Sequence, residues 1–371
     1  VLSRLRKANC NNNLLLADAR MLTMATEKLP RFAGRRYGVF GLRAPGVFHP
    51  KLTLQLGRDK GRLLVSSANM TAAGLAGNLE VMGQVELTSH DGQEASVLRA
   101  AFDYLWGLLP AEAMNARDQL QWALNRTPWL QLANASSNIT DGENRIHAEF
   151  LTPNSVQGIG ARFLELVGDA PVRRLVVASP YWDDDLAALN WLHSALSPLE
   201  VALLIQPSTG LFPSHRLQPG IPVRYFQILA AVSGKSSRFA HGKIVIAQTD
   251  EADHVLFGSP NCTTPALGST TFAGRNQEAA LYRRLAQGQA LAVLDLNKRL
   301  EPNQSIDAAS ITPFAKGESI ELDACERRGS GTFELREDIL TWHRPVALVG
   351  QPATLELLDR RGIVLPATLT L

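Results

Sequence analysis

The sequence predicts a duplicated α/β fold, two halves related by a pseudo-twofold axis, followed by a small β-rich appendage at the C-terminal end. Three observations point there. One order of apolar, strand-like runs occurs twice along the 371 residues. A His-x-Lys pair opens the corresponding aliphatic run in each copy, FHPKL at 48–52 and AHGKI at 240–244. The residues from 305 onward follow neither copy. A repeated supersecondary unit of this kind sets the architecture of the whole chain.

Residues 1–133 make the first half. NLLLAD (13–18) and YGVFGL (37–42) read as buried strands, HPKLTLQLG and RLLVSSAN as a hairpin across the turn RDKG, and GNLEVMGQVEL (77–87) as a further strand. EASVLRAAFDYLWGLL (94–109) carries its apolar residues at helical spacing. Residues 145–304 repeat that order. There LEVALLIQP (199–207) is followed by VRYFQI (223–228), the hairpin HGKIVIAQ with HVLFGS, the strand NQEAALYRR (276–284) and the helix GQALAVLDLNKRL (288–300). Strands this apolar are buried on both faces by helices. NASSNITDGEN (134–144), rich in Ser and Asn, is the expected joint between the halves.

The halves differ at their starts. RRLVVASPYW (173–182), a strand, and DDLAALNWLHSAL (184–196), a helix, precede LEVALLIQP, whereas only VLSRLRKANC, the tail of such a helix, precedes NLLLAD. The chain therefore reads as starting inside a repeat, with a strand and most of a helix expected from an additional N-terminal segment or a partner protein. In residues 305–371, ESIELDA, GTFELRE, PVALVG, ATLELLD and IVLPATLTL are short strand-like runs between Gly, Pro and charged turns. Packing or partner selection is the role expected of them.

Composition sets the bounds. With 45% hydrophobic and 19% charged residues the chain can bury more than one core, and a formal charge of +2 neither demands nor excludes a polyanionic partner. Cys10, Cys262 and Cys325 are odd in number and widely spaced, which fits neither a disulfide framework nor a zinc site and indicates a reducing compartment. No apolar stretch is long enough to span a bilayer, and Val1 to Lys7 is too polar for a signal-peptide core. A soluble, cytoplasmic protein with no membrane partner is the expectation.

The matching of the two motif regions extends beyond His-x-Lys. Asn69 follows Lys51 by 18 positions and Asn261 follows Lys243 by the same 18. Ser67 and Ser259 stand two before each Asn, Thr71 and Thr263 two after, and Glu80 and Glu278 end the stretches GNLE and GRNQE. With eight His and eight Lys, chance supplies one His-x-Lys in about six such sequences; two at equivalent places with Asn at one offset are no accident.

His and Lys two apart on a strand share a face, and the Asn just past the returning strand lies at the same rim. Each half thus offers an imidazole, an ammonium and an amide. Pairing the halves within one chain converges six groups on a single pocket, with no dimer required. Such a pocket suits a phosphodiester: two Lys and two Asn surround the equatorial oxygens without a metal or cofactor, and two His supply nucleophile and acid. A phosphohistidine intermediate is the implied route.

His49, Lys51, Asn69 and His241, Lys243, Asn261 together resemble the phospholipase D superfamily over residues 13–300. The phospholipase-type motif has an Asp five residues after the Lys, where this chain has Leu56 and Gln248. The pattern is therefore most similar to the His-Lys-Asn version of tyrosyl-DNA phosphodiesterases and metal-independent nucleases. The resemblance implies phospholipase D-like α/β sandwich halves, with His49 as nucleophile and His241 as general acid. It also implies Glu80 and Glu278 as the acceptors that hold the imidazoles.

A nuclease or DNA-end-processing enzyme is the expected function, with nucleic acid, DNA before RNA, as partner. RFAGRRYG (31–38), Arg43 and KSSR (235–238) are the cations expected along its backbone path. Two alternatives stand beside it. One is phospholipid hydrolysis or phosphatidyl transfer, for which no membrane-docking segment is evident. The other is a catalytically silent, phosphate-binding domain of a larger assembly. His90, His147, His193, His215, His254 and His343 lack partners at metal-ligand spacing and read as ordinary core or surface residues.

Overall fold

A computed structural model describes residues 7, 9–24, 33–34, 36–154, 156–218, 220–228, 238–315, 332–336, 339–343, 357–358 and 363–365. Its centre is a mixed sheet of eight strands. These are β6 (Asn138–Thr140), β7 (Ile146–Leu151), β8 (Arg174–Ala178), β9 (Glu200–Ile205), β10 (Val223–Gln227), β11 (Ile244–Gln248), β12 (Ala252–Gly258) and β13 (Ala280–Ala286), in the order β10-β9-β8-β11-β12-β13-β7-β6. The strands β8, β9 and β10 run parallel, and the other neighbours are antiparallel.

Period-2 alternation divides this sheet between two cores. Val176, Ala202, Leu204, Ile244, Ile246, Val255 and Phe257 face one; Leu175, Val177, Val201, Leu203, Val245, Ala247 and Leu256 face the other. Both sets are apolar because both faces are covered, which is why these strands read as continuous hydrophobic runs. The second core is closed by α5 (Ile159–Val167), α6 (Ala187–Leu196) and α7 (Thr264–Leu267).

The first core is closed by α2 (Gln93–Leu108) and by a three-stranded antiparallel sheet of β3 (Leu52–Leu56), β4 (Gly61–Ser66) and β5 (Met82–Glu86). Leu63 and Val65 of β4 and Val85 of β5 enter it. Contact between the sheets is close enough that a Cβ on Gly83 would lie 2.3 Å from the Phe257 ring. A third, smaller core gathers Phe40, Leu42, Phe48 and Leu109 under the parallel pair β1 (Leu14–Asp18) and β2 (Gly38–Leu42). Helix α1 (Ala19–Met24) follows β1 directly.

In the large sheet β8 stands between β9 and β11. Among the described residues no strand joins the pair β1-β2 to the triple β3-β4-β5, so the strands of the first 133 residues form two separate sheets.

The strands and the long helix expected from the sequence appear where their runs lie. Three differences have physical causes. GQALAVLDLNKRL forms only the short helix α8 (Gln289–Val293) and a 3-10 turn at Asn297–Arg299. Asp295 at φ 53° breaks the helix, and Leu296 and Leu300 then turn inward. The polar segment 134–144 is not a plain joint, because Asn138–Thr140 pairs with β7 as the edge strand β6. Its polarity fits an edge position. Two helices the sequence reading passed over, α3 (Met114–Asn125) and α4 (Pro128–Leu132), bury few residues apart from Ala116, Trp129 and Leu130.

In the C-terminal region β14 (Thr332–Arg336) pairs with β15 (Ile339–His343), and β16 (Leu357–Leu358) with β17 (Val364–Leu365). GTFELRE, ATLELLD and IVLPATLTL contribute to these; ESIELDA and PVALVG lie outside the described residues. Among the described residues no helix is long and apolar enough to cross a membrane.

Candidate active site

His49 and His241 stand on the short segments that lead into β3 and β11. Each segment is hydrogen-bonded to a segment from the other motif region. The His49 N–H donates to the Gln277 carbonyl (2.9 Å), and the Gln277 N–H to Val47 (2.9 Å). Likewise the His241 N–H donates to Leu79 (2.9 Å), and the Leu79 N–H to Phe239 (2.9 Å). This crossing delivers Glu278, one residue after Gln277, to His49, and Glu80, one after Leu79, to His241. Gly46 is required at the crossing, since a Cβ there would meet Asn276 Oδ1 at 2.4 Å.

Glu278 Oε2 lies 3.0 Å from Nδ1 of His49, and Glu80 Oε1 lies 2.9 Å from Nδ1 of His241. An ionised carboxylate can only accept, so each Nδ1 carries its proton and each Nε2 is left for other chemistry. The carboxylates are themselves held. Ser67 Oγ donates to Glu80 and Ser259 Oγ to Glu278; Asn78 Nδ2 donates to Glu80 (3.2 Å) and Asn276 Nδ2 to Glu278 (3.0 Å). Burial pushes both carboxyl pKa values up. Hydrogen bonds from the paired histidine and serine, with the charge on His49 and Lys51 at Glu278, outweigh it and leave both below the ordinary range.

Lys51 Nζ donates to the His49 carbonyl (3.1 Å) and Lys243 Nζ to the His241 carbonyl (2.9 Å). Lys243 Nζ is also 3.2 Å from His241 Nε2. Burial lowers the Lys51 pKa to about 8 against the attraction of Glu278 and Glu80. Burial and the neighbouring Lys51 charge lower that of Lys243 to about 7. His49 is also lowered, first by burial and then by both lysines, in spite of Glu278. Each lysine feels both glutamates, so the two motif regions share one electrostatic field.

Of the eight residues expected here, six meet in this cluster. The two asparagines differ. Asn69 is exposed. Asn261 is half-buried, and its Oδ1 is sealed from solvent with no hydrogen bond, an arrangement that costs about 1–3 kcal/mol until a ligand or water answers it. Thr71 and Thr263 donate their backbone N–H to the carbonyls of Asn69 and Asn261 (2.8 Å each), a turn role. Leu56 and Gln248 end β3 and β11, at the far end of each strand from the histidine.

Four positioning residues escaped the sequence reading. Asn78 and Asn276 are two of them, although each stands two before its Glu in GNLE and GRNQE, which was a usable signal. The others are Asp18 and Gln206, at the ends of β1 and just past β9. Asp18 Oδ2 accepts from the Phe48 N–H (2.9 Å) and Gln206 Oε1 from the Ala240 N–H (3.1 Å), each fixing the residue before a site histidine. Arg20 neutralises Asp18.

Among the expected cations Arg36, Arg43 and Arg238 are exposed; Arg31, Arg35 and Lys235 lie outside the described residues. His254, by contrast, is a core group. Its Nδ1 is 2.8 Å from the Tyr282 hydroxyl, and burial lowers its pKa to about 4. Among the described residues no three or more His, Cys, Asp or Glu side chains are grouped to hold a metal ion.

No protein-family model matches the chain, and no curated protein matches it. Solved structures do. A variant of the yeast tyrosyl-DNA phosphodiesterase aligns with a TM-score of 0.51 at 13% identity, over 74% of this chain and 78% of that one. The yeast enzyme itself aligns at 0.47 and 12% identity over the same shares. Polyphosphate kinase from Porphyromonas gingivalis aligns at 0.37 and 12%, over 84% of this chain and 43% of that one. The first of these shows that this chain has a fold like that of tyrosyl-DNA phosphodiesterase, and at that identity the likeness is one of fold.

Proposed function

We propose that the chain is a metal-independent phosphodiesterase that cleaves nucleic acid, as a nuclease or an end-processing enzyme, through a covalent phosphohistidine. The observation that carries this reading is the reciprocal crossing: two imidazoles, each fixed at Nδ1 by a glutamate from the other motif region, within one field shared with two buried lysines. The neighbour whose fold this chain shares acts, by its name, on tyrosyl-DNA, which supports a nucleic-acid substrate.

In the proposed reaction His49 Nε2 attacks phosphorus while the bond to the leaving oxygen breaks. His49 is suited to this because burial lowers its pKa and so favours the neutral form that attacks. His241, held at Nδ1 by Glu80, gives a proton from Nε2 to the leaving oxygen. A water then loses a proton to His241 and attacks phosphorus, the P–N bond breaks, and a phosphomonoester leaves with His49 restored. Lys51, Lys243 and the Asn261 amide hold the non-bridging oxygens as charge builds on them.

The two motif regions are read here as copies of one unit about a pseudo-twofold axis. Support comes from the antiparallel triples β3-β4-β5 and β11-β12-β13, the parallel pairs β1-β2 and β9-β10, and the equal spacing of His, Lys, Ser, Asn and Thr in the two regions.

The test is cleavage of labelled single-stranded, double-stranded and 3′-blocked DNA and RNA in excess chelator, beside phospholipid vesicles. Cleavage of an oligonucleotide under chelation is expected. Hydrolysis of the lipid alone, or of nothing without added metal, would overturn the reading.

A further inference from the structure

The surroundings of the two histidines are unlike in one respect that the shared chemistry does not require. Against His241 lie two aromatic rings. Tyr181 meets it edge-on, with centroids 6.4 Å apart at 81°, and Phe239 lies 5.9 Å away at 40°. The two rings are 6.5 Å from one another. Among the described residues no aromatic ring lies against His49.

This pair is built in place. Ser179 Oγ donates to the Tyr181 carbonyl (2.6 Å) and accepts from the Cys262 N–H (3.0 Å). Trp182 turns inward, 8% exposed, and packs edge-on against Phe212 at 5.1 Å. With Ser179 and Trp182 so fixed, Tyr181 stays 45% exposed beside His241. Phe239 is held on the other side. Its carbonyl accepts from the Leu79 N–H (2.9 Å), while Gln206 spans the residues around it, donating to the Arg238 carbonyl (3.4 Å) and accepting from the Ala240 N–H (3.1 Å). A large exposed ring on a fixed backbone loses little freedom on binding a flat partner. Arg238, exposed beside Phe239, adds a cation for a phosphate.

We propose that Tyr181 and Phe239 form a stacking surface for the nucleobase of the first nucleotide on the leaving-group side of the scissile phosphate. The proposal rests on the reading of His241 as the acid that protonates the leaving oxygen. It goes beyond that reading by making substrate selection one-sided: the leaving nucleotide is gripped by its base, and the nucleotide retained on His49 is not. Stacking tolerates any base, so the preference is for a base over none rather than for a sequence.

Oligonucleotides that bear an abasic sugar on one or the other side of the scissile phosphate test it, compared with the intact strand by kcat/KM. For the wild-type enzyme the abasic sugar on the leaving side is expected to lower kcat/KM about tenfold or more, and on the retained side far less. Tyr181→Ala should collapse that ratio to near one, and Tyr181→Phe should preserve it. An equal loss on every substrate in Tyr181→Ala, or a ratio unchanged by it, would overturn the stacking surface alone. Failure of the wild-type enzyme to cleave any oligonucleotide would overturn the functional reading and this proposal together.

Discussion

His241 is more deeply buried than His49, although the His, Lys and Asn of the two regions stand at the same spacing. The His241 side chain is 9% exposed against 22% for His49, and Lys243 is 1% exposed against 7% for Lys51. The difference follows from what lies behind each motif. Strand β11 has neighbours on both sides and buried faces, whereas β3 ends its small sheet and every residue of it is half-buried. The carboxylates invert this order: Glu278, which holds the more exposed histidine, is fully buried, and Glu80, which holds the more buried one, is 9% exposed at its side chain. A more exposed imidazole backed by a fully buried carboxylate and a more buried imidazole backed by a less buried one are a difference that equal residue types alone do not impose.

The largest effect should come from the histidines. His49→Ala and His241→Asn are each expected to lower turnover by about 10²- to 10⁴-fold. They should differ in kind: His241→Asn should accumulate acid-labile phosphoprotein in a single-turnover quench, and His49→Ala should not. The opposite pattern would exchange the two roles.

The glutamates come next and test the crossing itself. Glu278→Gln should slow formation of the phosphoenzyme, and Glu80→Gln its breakdown, each by about 10²-fold as the imidazole loses its charged acceptor. If each glutamate affected the step assigned to the histidine of its own region, the crossed pairing would be wrong.

The lysines give the comparison a pH signature. A lysine whose pKa is lowered carries its charge below that value and loses it as pH rises, so phosphate affinity should be present in acid and fade through about 7 for Lys243 and about 8 for Lys51. His49, lowered from its ordinary value, must be neutral to attack, so the rising limb should lie below pH 6.5. Lys243→Arg keeps its charge throughout. Its kcat/KM profile should move the falling limb upward by about one pH unit; an unmoved limb would show that Lys243 does not set it.

The smallest effect concerns the supporting amides. Asn276 holds Glu278 and its side chain also accepts from the Val47 N–H (3.1 Å), whereas among the described residues the Asn78 side chain bonds Glu80 alone. Asn276→Ala should therefore cost more activity than Asn78→Ala, about tenfold against about threefold, from hydrogen bonds each worth about 0.5–1.5 kcal/mol. Equal losses would mean that the link to Val47 carries no weight.

Much of the scaffold was legible because its signals are local. Continuous apolar runs such as LEVALLIQP and HVLFGS mark strands buried on both faces, and RDKG marks the turn between β3 and β4. Where the signal was mixed the reading slipped. Asn138–Thr140 is polar and still pairs as an edge strand, and GQALAVLDLNKRL has helical spacing but breaks at Asp295, where burial of Leu296 and Leu300 outweighs helix propensity. Asn78 and Asn276 were visible in the repeat and passed over. Asp18 and Gln206 differ in type, and their shared task of fixing the backbone before a histidine shows only once the strands are placed.

From the sequence alone came the expected residues: two imidazoles, two ammonium groups and two amides at repeated spacings, with a carboxylate at an unequal distance behind each set, because strand and turn geometry is written in short-range pattern. Only the tertiary structure decided which glutamate serves which histidine, and which lysine sits deepest. Those outcomes depend on contacts between residues separated by 161 and 229 positions. Desolvation and charge act through space, so no local pattern along the chain encodes them.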